Sequence, residues 1–211
     1  MTTANHPTAK VLRAWEKSAP TYDKQIAFLE RIWFAGGREW LGTRAHGRVL
    51  EVAIGTGLNL PHYPADASLT GIELSPAMLA IAQQRAAELG RRVDLHHGDA
   101  ETLPFDAGSF DTVVCALSLC TIPDPAAAIG EMRRVLTPGG HLLLLDHIGS
   151  SWPPVHAGQW LLERLTIRAA GEHFTRRQLP LVTAAGFEIV ENERFKAGTI
   201  ERIHARKPTA G

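Results

Sequence analysis

Two glycines, three carboxylates and a histidine are the residues of this chain whose types and spacing could do chemistry. Gly55 and Gly57 lie in Val49-Leu50-Glu51-Val52-Ala53-Ile54-Gly55-Thr56-Gly57-Leu58-Asn59-Leu60, directly after a branched apolar run. Glycine lets a chain turn sharply and bring its backbone against a ligand with no Cβ in the way. A lone Gly-x-Gly is weak, and a bare strand-to-helix turn has the same letters. Glu73 strengthens the signal, because it ends the next apolar run, roughly 20 residues on, where an acid meets a ribose hydroxyl pair in nucleotide-binding βαβ units. Asp99, in Gly98-Asp99-Ala100-Glu101-Thr102-Leu103-Pro104-Phe105, follows the run after that. Either acid alone could be a solvated strand end. Three such features at successive strand ends make a nucleotide-type constellation.

The elements that must position these residues can be read from the apolar pattern. Arg48–Ala53, Ser68–Glu73, Arg92–His97, Asp111–Ala116 and His141–His147 are short, branched-rich and bounded by turn residues, as buried strands are. Pro76–Leu89 reads as a helix capped by Ser75 and ended by Gly90. Pro125–Leu136 reads as another, capped by Asp124 and stopped by Pro138-Gly139-Gly140. This alternation predicts a parallel sheet with helices on both faces, whose ligands bind along the carboxyl edge. Thr175 is expected to cap a helix to about Ala185. Phe187–Phe195 and Thr199–Arg206 are expected to close the sheet as a hairpin with a two-residue apex, Ala197-Gly198. Ahead of the sheet, helices are expected over about Val11–Ser18 and Asp23–Leu41, the second interrupted by Gly36-Gly37.

From about Tyr22 onward, and most closely over 49–140, the sequence resembles the class I S-adenosylmethionine-dependent methyltransferases. The marks are VLEVAIGTG, GIELS, GDAETLPF, SFDTVVCALSL and RRVLTPGG. The resemblance implies a Rossmann-like α/β fold with a mainly parallel seven-stranded sheet and a C-terminal antiparallel hairpin. It implies S-adenosyl-L-methionine as cofactor, with S-adenosyl-L-homocysteine as product. The loop with Glu51, Ala53, Gly55, Gly57 and Asn59 would lie against the methionine portion, Glu73 and Leu74 by the ribose, and Asp99, Ala100 and Glu101 by the adenine. Leu117 and Ser118 would line the methionine side, and Tyr22 would close over the cofactor. Ala53 departs from the glycine common in such enzymes, which reads as a mild change. Within the family, the chain looks near the bacterial phospholipid and quinone methyltransferases and the animal methyltransferase-like thiol S-methyltransferases.

Two rivals use the same edge. A nicotinamide reductase would want a third glycine where Leu60 stands, and lacks its Tyr-x-x-x-Lys pair here. A binding protein that keeps the fold without catalysis is the other. Asp146-His147 end the fifth strand, so His147, with Asp146 as rival, is the candidate base or orienting group; a loop-capping role is the alternative. Trp33, Trp160, His173 and Phe174 are further substrate-side candidates.

With 211 residues and 45% hydrophobic content, one domain is expected, a helical lid over 1–47 and a core over 48–211, of which 148–175 could cover the substrate. Lys plus Arg and Asp plus Glu number 22 each, which argues against nucleic-acid binding. Cys115 and Cys120 sit in an apolar run and are too few for a disulfide framework or structural zinc, so they read as core. His96-His97 would face opposite sides of a strand, and no metal site is expected. The polar Met1–Pro7 stretch has no signal-peptide core, and no apolar run is long enough to span a membrane, so a cytoplasmic location is expected. Ile26, Leu29, Ile32, Trp33, Trp40 and Leu41 form an apolar helix face, read first as packing on the domain. Bases beside it are mixed with acids, which argues against a strong membrane anchor but leaves peripheral contact open. The expected acceptor is a small apolar or aromatic molecule, ahead of a phosphatidylethanolamine-type lipid.

Overall fold

A computed structural model, describing residues 7–34 and 36–209, has one seven-stranded sheet in the order β3-β2-β1-β4-β5-β7-β6. Residues 1–6, within the polar Met1–Pro7 stretch, lie outside the described residues. Strands β1 (Arg48–Val52), β2 (Ser68–Glu73), β3 (Val93–His97), β4 (Phe110–Ala116) and β5 (Leu136–His147) pair in parallel. β7 (Ile200–Arg206) runs antiparallel to β5 and to β6 (Glu188–Phe195). The expected α/β class and closing hairpin are therefore present.

The central strands are apolar on both sides because both faces are covered. Leu142 and Leu144 join a core with Leu50, Val113, Ile129 and Met132. Their neighbours Leu143 and Leu145 join the opposite core with Val49, Val114, Trp40 and Leu41. A strand alternates its side chains, so an uninterrupted Leu run serves two layers at once. The helices around it are α1 (Pro7–Ile32), α2 (Gly37–Arg44), α3 (Pro76–Glu88), α4 (Pro125–Val135), α5 (Pro153–Ala170) and α6 (Leu179–Ala184). As the sequence indicates, the Ser75 hydroxyl accepts from Met78 N–H at 3.2 Å and the Asp124 carboxylate from Ala127 N–H at 2.9 Å.

Five boundaries differ from expectation. The helix expected to pause between Val11–Ser18 and Asp23–Leu41 is continuous through Pro20, while the expected interruption at Gly36-Gly37 is present, the φ of 73° at Gly36 starting α2 afresh. Pro138-Gly139-Gly140 does not separate α4 from its strand. Leu136 already pairs with Phe110, a bulge between Phe110 and Thr112 absorbs the register shift, and β5 runs straight through. Thr175 caps no helix: its N–H and hydroxyl both donate to Glu163, at 2.8 and 2.5 Å, and α6 starts later. The hairpin apex has four residues between Phe195 and Ile200, with Lys196, Ala197 and Gly198 all left-handed. Finally, much of 148–175, for which the sequence predicts no element, is the long helix α5.

Candidate functional site

The turn after β1 owes its shape to three left-handed residues, Ala53 (φ 55°), Gly55 (φ 59°) and Gly57 (φ 78°). A Cβ on Gly57 would stand 2.9 Å from Leu60 Cδ1 and 3.3 Å from the Ala82 backbone, so the loop can press on α3 only as glycine. Gly55 N–H donates to Glu73 Oε2 at 3.0 Å and Ser75 N–H to Glu73 Oε1 at 2.9 Å, fixing the carboxylate under the loop. Burial pushes the Glu73 carboxyl up, and these N–H groups partly offset it. The change at Ala53 is not mild, since an L-residue is strained at that φ by about 1–2 kcal/mol. Ala53→Gly is expected to raise unfolding stability by about 1 kcal/mol in urea titration.

Between this loop and the next strand ends lies an open-mouthed pocket. Ten of the sequence-predicted cofactor residues line it. Glu51, Ala53 and Gly55 come from the glycine loop, Glu73 and Leu74 from the end of β2, and Asp99 and Ala100 from the end of β3. Leu117 and Ser118 follow β4, and Tyr22 comes from α1. Gly57, Asn59 and Glu101 stand outside its walls and act on them: Glu101 N–H donates to Asp99 Oδ1 at 3.0 Å, and Asn59 Nδ2 donates to Glu51 Oε1 at 2.6 Å. Glu51 also accepts from Tyr63 Oη at 2.9 Å, and burial pushes its carboxyl up to about 7. The unfolded chain, near 4.5, gives up this proton first, so the Glu51 contribution to stability falls as pH rises between about 4.5 and about 7. Thermal melts of Glu51→Gln should accordingly improve relative to wild type on going from pH 5 to pH 8.

Trp15, Arg38, Met78 and Ile122 also stand in the walls, unpredicted from the sequence, because side chains converging from separate helices and a loop leave no local spacing signal. α1 itself is fastened over the pocket by its acids. Glu16 accepts from the Ser75 hydroxyl at 2.6 Å and from Ala77 N–H at 3.0 Å. Asp23 accepts from the Thr56 hydroxyl at 2.6 Å and pairs with Arg85. Glu30 pairs with Arg38, whose other nitrogen reaches Asn59 Oδ1 at 2.7 Å. Tyr22 sits edge-on to Trp15, and burial pushes its phenol up to about 12, so it stays a neutral hydroxyl.

The acceptor-side candidates form a second group beside this pocket, outside its lining residues. Asp146 is buried and accepts from the N–H groups of Cys120 (3.1 Å) and His147 (2.8 Å), which gives its carboxylate a positioning task. The His147 ring stacks on Phe174 with centroids 4.7 Å apart, and Nε2 faces Glu172 Oε1 at 3.2 Å. Nδ1 is buried with no hydrogen-bond partner, so the ring does not cap a loop carbonyl. Burial opposes its charge, yet the Glu172 and Asp146 carboxylates outweigh it and raise the imidazole pKa. His173 N–H donates to Cys120 O at 2.9 Å and its ring faces Glu163, while Arg176 donates to the carbonyls of Leu119 and Ile122. Cys120, His147 and Glu172 each bring one donor atom within 4.8 Å of the others. Burial and the adjacent Asp146 carboxylate keep the Cys120 thiol protonated. Trp33 and Trp160 are exposed and join neither group. Cys115 and Cys120 are buried, free thiols, as expected.

Comparison with known proteins matches residues 50–144 to a family described as a methyltransferase domain. The phosphatidylethanolamine N-methyltransferase of Cereibacter sphaeroides is 38% identical over 120 residues, 56% of this chain and 59% of that protein. The demethylmenaquinone methyltransferase of Deinococcus radiodurans is 38% identical over 147 residues, 66% of this chain and 59% of that protein. The chain thus spans less than two thirds of the length of these curated relatives. Among solved structures, a SAM-dependent methyltransferase from Thermotoga maritima superposes with a TM-score of 0.72 at 23% identity, covering 93% of this chain and 99% of that one. The cyclase SpnF superposes at 0.66 with 24% identity, covering 82% and 79%. Residues 50–144 of the chain thus match a methyltransferase domain, and the strand order and glycine loop around them are those of the Rossmann-like fold shared with S-adenosylmethionine-dependent methyltransferases.

Proposed function

We propose that the chain transfers a methyl group from S-adenosyl-L-methionine to a small apolar or aromatic acceptor. The observation that carries this reading is the Glu73 carboxylate. Each oxygen accepts one backbone N–H and keeps a further lone pair for one hydroxyl of a ribose diol at the pocket wall. Asp99 is held on one side only, Oδ1 accepting from Glu101 N–H, which leaves its second oxygen for an exocyclic amine. When bound, S-adenosylmethionine supplies a methyl on a sulfonium, which leaves readily. The chain's part is to align the acceptor, exclude water and accept a proton where the acceptor carries one. Tyr22 and Trp15 on α1 cover the donor, and His147 Nδ1 takes the acceptor's proton, with Glu172 orienting the ring from Nε2.

A lipid acceptor of the phosphatidylethanolamine type is the second reading, favoured by the name of the Cereibacter sphaeroides relative. Calorimetry with S-adenosylhomocysteine and with NAD separates the donor site from a nicotinamide site. A tritium-transfer assay over a thiol, a quinol and phosphatidylethanolamine then ranks acceptors. Binding of S-adenosylhomocysteine with no transfer to any of them, or to lysate small molecules, would favour a binding protein. The fold permits other outcomes, as the SpnF superposition illustrates.

A further inference from the structure

The large exposed hydrophobic side chains of this chain are concentrated on two helices. Phe28, Leu29 and Ile32 occupy the end of α1 and Trp33 follows it, with Phe28 61% exposed. Trp152, Trp160, Leu161, Leu162 and Leu165 mark α5 and the residue before it, with Leu161 and Leu165 63% and 65% exposed. Among the described residues the others of this kind are Leu89, Ile189 and Val190. The packing role expected for Leu29, Ile32 and Trp33 therefore fails, and only Trp40 and Leu41, on α2, enter the core.

The two helices meet at the carboxyl edge. At one end the Lys10 ammonium donates to Ile167 O and Val11 sits under Gly171. At the other, α5 leaves shortly after the end of β5, and Gly37, just past α1, backs onto Leu145 of β5. The first turns of α1 thus meet the last turn of α5.

Charge is sorted between the sides of these helices. Their acids are Glu16, Asp23, Glu30 and Glu163. All four bond to the body of the chain, to Ser75 and Ala77, to Thr56 and Arg85, to Arg38, and to Thr175 and His173, and of them only Glu16 stays exposed. Lys17, Lys24, Arg31 and Arg164 are exposed, with the Arg164 guanidinium 3.9 Å over the Trp160 ring. Bases and acids that alternate in the sequence thus separate in space, leaving an apolar, aromatic-rich face fringed by cations.

We propose that the outer faces of α1 and α5 dock on an anionic lipid bilayer. Helices lying in the interface plane bury leucines at the acyl boundary, keep tryptophans at the headgroups and set bases against lipid phosphate. A second copy of the chain fits this face poorly, because a two-fold contact would bring cationic fringes together, and the one exposed acid on either helix, Glu16, is already engaged by Ser75 and Ala77. No helix among the described residues is long and apolar enough to cross a membrane, so the contact is peripheral. Because α1 also roofs the pocket, docking would present that pocket to molecules dissolved in the bilayer. That consequence rests on the methyl-donor reading; the docking itself does not.

The test is co-sedimentation and tryptophan fluorescence with phosphatidylcholine vesicles, with and without roughly 30% phosphatidylglycerol. Wild type should bind the anionic vesicles, with a blue shift, and lose binding as salt rises. Leu161→Glu with Leu165→Glu should lower partitioning by at least about tenfold. Its circular dichroism melt and S-adenosylhomocysteine affinity should be unchanged. Should that variant not fold, Lys24→Glu with Arg31→Glu should erase the preference for anionic vesicles. No wild-type binding to anionic vesicles, or undiminished binding by folded variants, would overturn the proposal. So would a concentration-dependent dimer in light scattering that the leucine variant abolishes. Wild type that binds vesicles but not S-adenosylhomocysteine would reject the donor reading and leave the docking intact.

Discussion

Glu73→Ala is expected to weaken S-adenosylhomocysteine binding by about 100-fold or more in titration calorimetry. A charged acceptor bonded to two hydroxyls contributes about 1.5–3 kcal/mol per bond, and each 1.4 kcal/mol is tenfold in affinity. The loss has a second source, because the same carboxylate holds Gly55 N–H and Ser75 N–H and with them the loop and the start of α3. Glu73→Gln separates the two. It keeps one acceptor oxygen and the side-chain shape but sets an amide NH₂ against a backbone N–H or a ribose hydroxyl, so it should fall between wild type and alanine. Affinity unchanged in a folded Glu73→Ala variant would remove the ribose assignment, and the donor reading with it.

His147→Ala is expected to lower kcat by about 100-fold with S-adenosylhomocysteine affinity unchanged, the size of effect general bases typically supply. The alternative for this residue is structural, since its ring also holds Phe174 and Glu172 against the end of β5. The pH profile distinguishes them. With Glu172 and Asp146 raising its pKa, His147 is protonated to higher pH than an ordinary imidazole, and rate should climb as it loses that proton. In Glu172→Gln the rise should move to lower pH, because the nearest carboxylate is gone. A rate that falls only in step with the melting temperature, with the pH profile unmoved, would make His147 a fastener of the covering segment.

The cofactor edge was legible in the sequence because each of its parts is local. Glycines after a branched run, and an acid closing each of the next two strands, are set by neighbours along one chain. Ser75 and Asp124 cap as read for the same reason, a short side chain reaching an N–H three residues on. Thr175 shows where this fails. It has the type and place of a cap, yet Glu163, from a different helix, offers its hydroxyl and N–H a charged acceptor. Pro138-Gly139-Gly140 fails similarly, since pairing with β4 and with the backbone of Lys207 outweighs its turn preference.

Alone, the sequence determined the α/β sheet, the glycine loop, and Glu73 and Asp99 at one edge, because periodicity two and strand-end placement are local properties. Tertiary structure decided that Ala53 is left-handed, that Asn59 serves Glu51 and Arg38 outside the pocket walls, and that His147 meets Glu172. It also decided that the acids of α1 and α5 bond to neighbouring segments while Lys17, Lys24, Arg31 and Arg164 stay outside. Such sorting depends on which partners other segments bring to each face of a helix, and no spacing within the helix records them.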